Sequence, residues 1–546
     1  MQLGMKFMAE TYIRKAKNLV KKILGMNYNL IRSDFDENNS CKALDKLLEI
    51  KPELLNERSM AGNRRDMKDF YPSAKKIADA FDFYRVYLHK YDEIYPDVPE
   101  IGEYDGLHSG TPIKWKPYKG CTRAVKKLLK RSNLFWYPST GGSMFARQRF
   151  LEYLGREGFQ LDKSDNYDGM GIDNIVFTSS TTHAYTMICN LIARDEDVIL
   201  VTGPNYGFFA LGPERLNARV EVLNLSEDDD WYVNSESLAK RIDEINKKLK
   251  KEWEGKLDYV PKVVAFLNMN PHNPLGKVMN KKNKEILEGI GDVCLEKGVF
   301  VIDDLIYRDL TFDRKDLALP LATYPKYFNN TISLMGISKA FGLASFRAGV
   351  IVAPIPICRG ITTQIFEMMD STPVVQVESV AGAFNASDKR YIEYDRYFKP
   401  LMREYEYRYE LFRAMVEGID SIEDKKTRNK IIRDIKHYEK DENVRKLLFE
   451  GIPNVEIRKG TTPESGFFAV MDFTKLKGKK YEDKVIENDF DMLEYFYIKG
   501  KVVYIMGESV NWPNTNELIG RINFALTKKA LINSMKIITT SVRELK

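Results

Sequence analysis

An α/β fold is predicted, with a large domain on a mostly parallel, seven-stranded sheet and a smaller α+β domain beside it. Three observations predict it. Seven β-rich segments recur between residues 174 and 353, several of them apolar at consecutive positions, as strands covered on both faces are. Helical patterns lie between many of them, the alternation expected of a parallel sheet. A chain of 546 residues with 44% hydrophobic content also suffices for a large core and more than one domain.

Along the chain, residues 1–30 are basic with apolar residues at helical spacing (Tyr12, Ala16, Leu19, Val20, Ile23). This predicts a solvated surface helix, with a transit peptide as the alternative; the continuous apolar core of a secretory signal is missing. Residues 1–100 are read as an N-terminal extension, and Leu107-His-Ser-Gly-Thr-Pro112 as a loop. The large domain is expected at 136–359 and the small one at 101–135 plus 360–546. Strands are expected at 174–178, 197–202, 220–224, 262–268, 299–303, 331–334 and 349–353, with helices at 182–194 and 281–297. The stretch 420–450 is dense in charges of both signs and predicts a solvated helical insertion. Beyond it, 467–471, 502–505 and 521–525 are expected strands of the small domain.

Composition narrows the function classes. A net charge of +6 over this length, without a basic patch carrying interleaved aromatics, argues against a nucleic-acid partner. No apolar run reaches the roughly 18–20 residues that span a bilayer, so no membrane association is expected. Five scattered cysteines (Cys41, Cys121, Cys189, Cys294, Cys358), without metal spacing, suit reduced thiols in a cytoplasmic protein.

In such sheets ligands sit beyond the carboxyl ends of strands, and the chemically suggestive residues fall there. Thr178-Ser-Ser-Thr-Thr182 follows a strand and opens a helix, a phosphate cradle or simply an N-cap. Tyr206, in Pro204-Asn-Tyr206, can stack on a planar ring or be a loop aromatic. Asn268-Met-Asn-Pro-His-Asn-Pro-Leu-Gly276 carries two Asn-Pro pairs and a glycine that fix a loop, able to hold Asn273 rigidly. Val299-Phe-Val-Ile-Asp-Asp-Leu-Ile-Tyr307 runs a buried strand into acids: Asp304 can hold a pyridinium N–H, Tyr307 can donate to a ring oxygen, and Asp303 suits a helix cap. Lys339 lies just past an apolar strand and can form an imine with an aldehyde, while Arg347, eight positions on, can clamp a phosphate.

Tyr137 with Gly142 and Arg147, the Thr178–Thr182 turn, Pro204-Asn-Tyr206, Asn270–Gly276, Asp304–Tyr307, Ser338-Lys339 with Arg347, and Arg521-Ile-Asn-Phe-Ala525 follow one another in order. This set resembles the class I/II aminotransferase family of fold-type I pyridoxal 5'-phosphate (PLP) enzymes, over roughly residues 100–530. The resemblance implies a PLP-dependent aminotransferase that moves an amino group from an L-amino acid to a 2-oxo acid, and a homodimer. It makes Lys339 the Schiff-base lysine, which after release from the internal aldimine removes the Cα proton. Asp304 becomes the partner of the pyridine nitrogen, Tyr206 stacks on the ring, and Asn273 and Tyr307 bond its oxygen. Ser180, Thr181, Thr182, Ser338 and Arg347 hold the phosphate, with Tyr137 reaching a phosphate across the dimer interface. Arg521, with Asn273, receives the substrate α-carboxylate.

The pattern also departs from the family. Ser180 stands where a glycine is usual, Gly336 where a serine is common, and Ala344-Ser345 replaces Pro-Gly. A PLP-dependent lyase or decarboxylase is the rival reading, because the Asn-Pro-Leu-Gly loop also resembles 1-aminocyclopropane-1-carboxylate synthases. A non-catalytic PLP-binding regulator is a further alternative, although residues 1–100 carry no clear helix-turn-helix. No second arginine is assignable to a substrate side chain.

Overall fold

The computed structural model describes residues 106–110, 116–210, 213, 218–385 and 387–546. The expected helix at 1–30, the rest of the 1–100 extension, and Cys41 lie outside the described residues.

Seven strands form the main sheet: β1 (Ile175–Thr178), β2 (Val198–Gly203), β3 (Arg219–Asn224), β4 (Val263–Met269), β5 (Phe300–Asp304), β6 (Thr331–Gly336) and β7 (Gly349–Val352). Their order is β1-β7-β6-β5-β4-β2-β3. Only β7 runs against its neighbours, β1 and β6. The expected mostly parallel α/β sheet is thus present, each strand within two residues of its expected bounds. Side chains alternate along a strand, so neighbours enter different cores. Leu200 shares one with Leu238, Ile242, Leu287 and Ile290, from helices Ser235–Trp253 and Lys284–Glu296. Val201 shares the other with Ile188, Ile361 and Ile365, from helices Thr181–Ile192 and Ile355–Met369. Burial on both faces is why β2, β4 and β7 read as continuous apolar runs, while the edge strand β3 is half-buried and alternates. Each fully buried Leu or Ile contributes roughly 1.5–3 kcal/mol.

A second, antiparallel sheet has the order Ile505–Met506, Ile519–Asn523, Phe468–Asp472, Glu456–Ile457. Of the expected strand at 502–505 only Ile505 is in a strand; Val502, Val503 and Tyr504 are buried loop. An apolar run reports burial, and here burial did not bring pairing. The charged stretch folds as two helices, Lys425–Tyr438 and Glu442–Glu450, capped by the carboxylates of Asp424 and Asp441. Four cysteines are buried and free. Among the described residues no helix is long and apolar enough to cross a membrane, and no cluster of metal-ligating side chains occurs.

Candidate active site

The end of β5 delivers two adjacent carboxylates to different surroundings. Asp303 is fully buried and accepts from Asn268 Nδ2 (2.9 Å) and from the N–H of Leu321 (2.9 Å), which opens the short 3₁₀ turn Leu321–Thr323. Asp304 accepts from the N–H of Ile306 (3.1 Å). Burial pushes the Asp303 carboxyl up to about 7 and the Asp304 carboxyl up to about 6, with the Ile306 N–H and the Lys339 ammonium pulling Asp304 back.

The loop after β4 is fixed by its own polar groups. Asn270 donates to the carbonyls of Met279 (2.8 Å) and Leu319 (3.1 Å) and accepts from Met279 N–H (2.9 Å). Gly276 has φ +70°, and a Cβ there would lie 2.7 Å from Pro463, so glycine is required on both counts. His272 is buried, with Nε2 3.1 Å from Thr202 Oγ1, and burial pushes it down to about 3, a neutral imidazole. The loop presents Asn273, whose Oδ1 accepts from the Arg521 guanidinium (3.4 Å). Tyr307 is buried against Phe467 and Phe468, and burial raises its hydroxyl pKa, with Arg521 opposing. Tyr206 follows a turn tied to Val510 O through Asn205 N–H (2.7 Å). Burial raises its hydroxyl pKa too, while Arg521 and Arg347 lower it.

Lys339 lies in the loop beyond β6, and its Nζ donates to Gly110 O (2.6 Å). Burial pushes the ammonium down to about 8, helped by Arg521 and Arg347 and opposed by Asp304. Arg521, in the centre of strand Ile519–Asn523, stacks over the Phe468 ring at 4.2 Å and donates to His108 O (3.3 Å). Four successive carbonyls of the 107–110 segment are therefore engaged. Leu107 O and Ser109 O accept from Asn523, His108 O from Arg521, and Gly110 O from Lys339. Sequence reasoning read this segment only as a loop. Its contribution is backbone oxygen, which side-chain motifs do not report; the glycine and proline of Leu107–Pro112 were the sole signal.

The third part of the site is the turn before helix Thr181–Ile192. Ser180 has φ +98° and ψ 158°, backbone that glycine adopts readily and serine rarely does, and its Oγ accepts from His183 N–H (3.1 Å). A Cβ on Gly349 would lie 2.9 Å from Ser180 C and Thr181 N. A Cβ on Gly336 would lie 3.0 Å from Ile306 Cδ1, 3.1 Å from Ala348 O and 3.2 Å from Thr181 Cγ2, so a serine there would need these neighbours to give by a few tenths of an ångström. Ser338 is buried, Thr182 is exposed, and Arg347, exposed and in left-handed backbone (φ +51°), donates to Ala344 O (3.1 Å). Lys339, Asp304, Asn273, Tyr206, Tyr307, Arg347 and Arg521 thus come together. Tyr137 does not join them within one chain; it is 85% exposed.

These groups fit PLP. A partly unprotonated amine suits its aldehyde, a buried carboxyl its pyridine nitrogen, and helix-start N–H groups with Arg347 its phosphate. Fold and site together define a fold-type I α/β enzyme of the PLP-dependent kind. The chain belongs to the class I and II aminotransferase family, whose model matches residues 100–466 and whose members use pyridoxal 5'-phosphate. It is 26% identical over 336 residues to an aspartate aminotransferase of Thermococcus kodakarensis, covering 61% of this chain and 75% of that one. To the aspartate aminotransferase of Pyrococcus abyssi it is 24% identical, covering 43% of this chain and 57% of that one. The structure of an aspartate aminotransferase from Rhizobium meliloti superposes with a TM-score of 0.61 at 15% identity, covering 81% of this chain and 91% of that one. This likeness shows the fold.

Proposed function

We propose that the protein moves an amino group from an L-amino acid to a 2-oxo acid, with Lys339 bonding the aldehyde carbon of the cofactor. The observation that carries the proposal is the grouping of Lys339 with Asp304 and Arg521, and of Arg521 with Asn273. Bound PLP supplies an electron sink for the charge left when a bond to Cα breaks. Asp304 holds a proton at the pyridine nitrogen, Tyr206 stacks on the ring, and Asn273 and Tyr307 hydrogen-bond the ring oxygen. Ser180, Thr181, Thr182, Ser338 and Arg347 hold the phosphate. Arg521, beside Asn273, grips the substrate α-carboxylate as a fork. Once released, the Lys339 amine takes the Cα proton, and a value of about 8 leaves a useful fraction of it unprotonated near neutral pH.

The assembly in this reading is a homodimer, with Tyr137 reaching a phosphate across the interface. Its support is an exposed apolar strip: Phe135, Trp136 and Tyr137 with Met144 and Phe145. A cytoplasmic location is part of the same reading and rests on the free thiols. So is the division into a PLP-binding domain at 136–359 and a small domain at 101–135 with 360–546.

The test is a half-reaction screen of amino acids against holoenzyme, followed by addition of 2-oxoglutarate. Transamination needs the 2-oxo acid and yields a new amino acid; product released without it would mean a lyase and would overturn the proposal. Lys339→Ala should lose the visible absorbance of bound cofactor and about 10²–10⁴ in kcat.

A further inference from the structure

Two lysine-rich helices of this chain treat their charge differently. On Ser235–Trp253 the cations are interleaved with acids, and ion pairs follow: Lys250 with Glu254, Lys248 and Arg241 with Glu221, and Asp243 with Lys297. On Lys425–Tyr438 the signs are sorted. Its one acid, Asp434, turns inward to Lys528 (2.8 Å) and the hydroxyl of Tyr407 (2.5 Å), and the next, Glu439, turns to Lys536 (2.8 Å). The outward face of the helix keeps cations and no acid. At 3.6 residues per turn Lys425, Lys426, Arg433 and Lys436 fall in a sector about 100° wide, opposite the buried Ile431 and Ile435, with the exposed Asn429 among them. All four are exposed, and none has a carboxylate within ion-pairing distance among the described residues.

We propose that this face docks an acidic protein surface, a helix or extended segment presenting several carboxylates in a row. Charge complementarity commits the face to an anion, and three features favour a polypeptide. The run from Lys425 to Lys436 is about 16 Å long. It is closed at both ends by acids, Glu423 and Asp424 before it and Asp441 and Glu442 after it, which would repel a continuous phosphate backbone but not a finite acidic segment. The face carries three lysines to one arginine and no Phe, Tyr or Trp to stack on bases. The apolar side chain bordering the charges, Ile432, is half-buried, which does not suit entry into a bilayer. The site of amino-group transfer lies elsewhere, so this proposal stands or falls apart from that reading.

The experiment uses full-length holoenzyme and a fluorescent synthetic helical peptide with glutamates at i, i+3 and i+4 spacing, titrated at low and at physiological salt. The variants are Lys426→Glu/Arg433→Glu/Lys436→Glu, the same three positions changed to Gln, and a control, Lys240→Glu/Lys247→Glu/Lys251→Glu, on the acid-interleaved helix. A 20-base-pair duplex and phosphatidylserine vesicles are titrated in parallel. Electrostatic association of this kind is worth about 10–10³-fold, so the Glu triple should weaken peptide binding at least about tenfold, and the Gln triple less. The control should bind as the wild type does, with transaminase turnover unchanged in all variants. Absence of peptide binding at low salt overturns the proposal. So does equal loss in the two Glu triples, or tighter binding of duplex or vesicle than of peptide.

Discussion

At the Asp304 end of the site, side chains are held by other side chains and by a loop with no slack. Asn270 ties the β4 loop with three hydrogen bonds, Asn268 and Asp303 lock behind it, and Asn273 is delivered to Arg521. At the Ser180 end the groups on offer are mostly backbone N–H, and their position is kept by bent backbone at Ser180 and Arg347 and by bare glycines at 336 and 349. The first construction needs particular side chains, so it leaves motifs. The second needs only the right backbone, which several sequences can supply, and it is here that the chain departs from its family.

The largest expected effects separate the two β5 carboxylates. Asp304→Asn should lower kcat/KM by about 10²–10³, the loss typical of one preorganised electrostatic partner. It should leave the apoenzyme as stable or slightly more so, because the amide has no charge to desolvate. Asp303→Ala should do the opposite. It strands the Leu321 N–H and the Asn268 amide in the core and should cost about 2–4 kcal/mol of unfolding free energy by denaturant titration, with turnover per folded molecule retained. If Asp303→Ala abolished turnover without loss of stability, the assignment of the two carboxylates would be reversed.

A pH dependence of apoenzyme stability sharpens the same contrast, with at most about 1.4 kcal/mol per pH unit from each proton. Lys339 titrates near 8 when folded and near 10.5 when unfolded, so between these values the unfolded chain binds more protons. Its contribution makes stability rise as pH rises from about 8 to 10.5. Asp304 titrates near 6 when folded against 3.8 unfolded, so the folded chain binds more protons in that window and stability falls as pH rises through it. Asp303 extends the fall to about 7. Denaturation midpoints across pH should flatten above 8 in Lys339→Met and below 6 in Asp304→Asn; unchanged slopes would show that these groups are not shifted by burial.

The same division explains what the sequence could disclose. Most of the sheet strands were legible because burial on two faces writes apolar residues at consecutive positions, as in Val198-Ile-Leu-Val201; the half-buried edge strand β3 was legible from its alternating Val220 and Val222. The loop through Asn273 and the acid end of β5 were legible because Asn-Pro pairs and a strand running into Asp-Asp have few cheap explanations. The 107–110 segment was not, since four carbonyl oxygens can come from any residues. Nor was the state of 502–504, where buried loop and strand share one pattern. At Gly336 a side chain would press on Ile306, Thr181 and the Ala348 carbonyl, a tightness the sequence does not show.

The smallest effect tests the bent-backbone end directly. Ser180 occupies a φ, ψ region that non-glycine residues pay about 1–3 kcal/mol to enter. Its hydroxyl offsets part of that by capping His183 N–H. Ser180→Gly relieves the strain, loses a few tenths of a kcal/mol of cap and gives back roughly 0.5–1 kcal/mol in unfolded-chain entropy. The apoenzyme should gain about 1 kcal/mol, read as a higher thermal midpoint. Ser180→Ala keeps the strain and loses the cap, so it should lose about 1 kcal/mol. An unstrained capping serine would give losses in both variants, smaller for glycine. Opposite signs for Gly and Ala therefore report strain held in this turn, and losses in both would mean that the turn is relaxed and that the hydroxyl alone sets its energy.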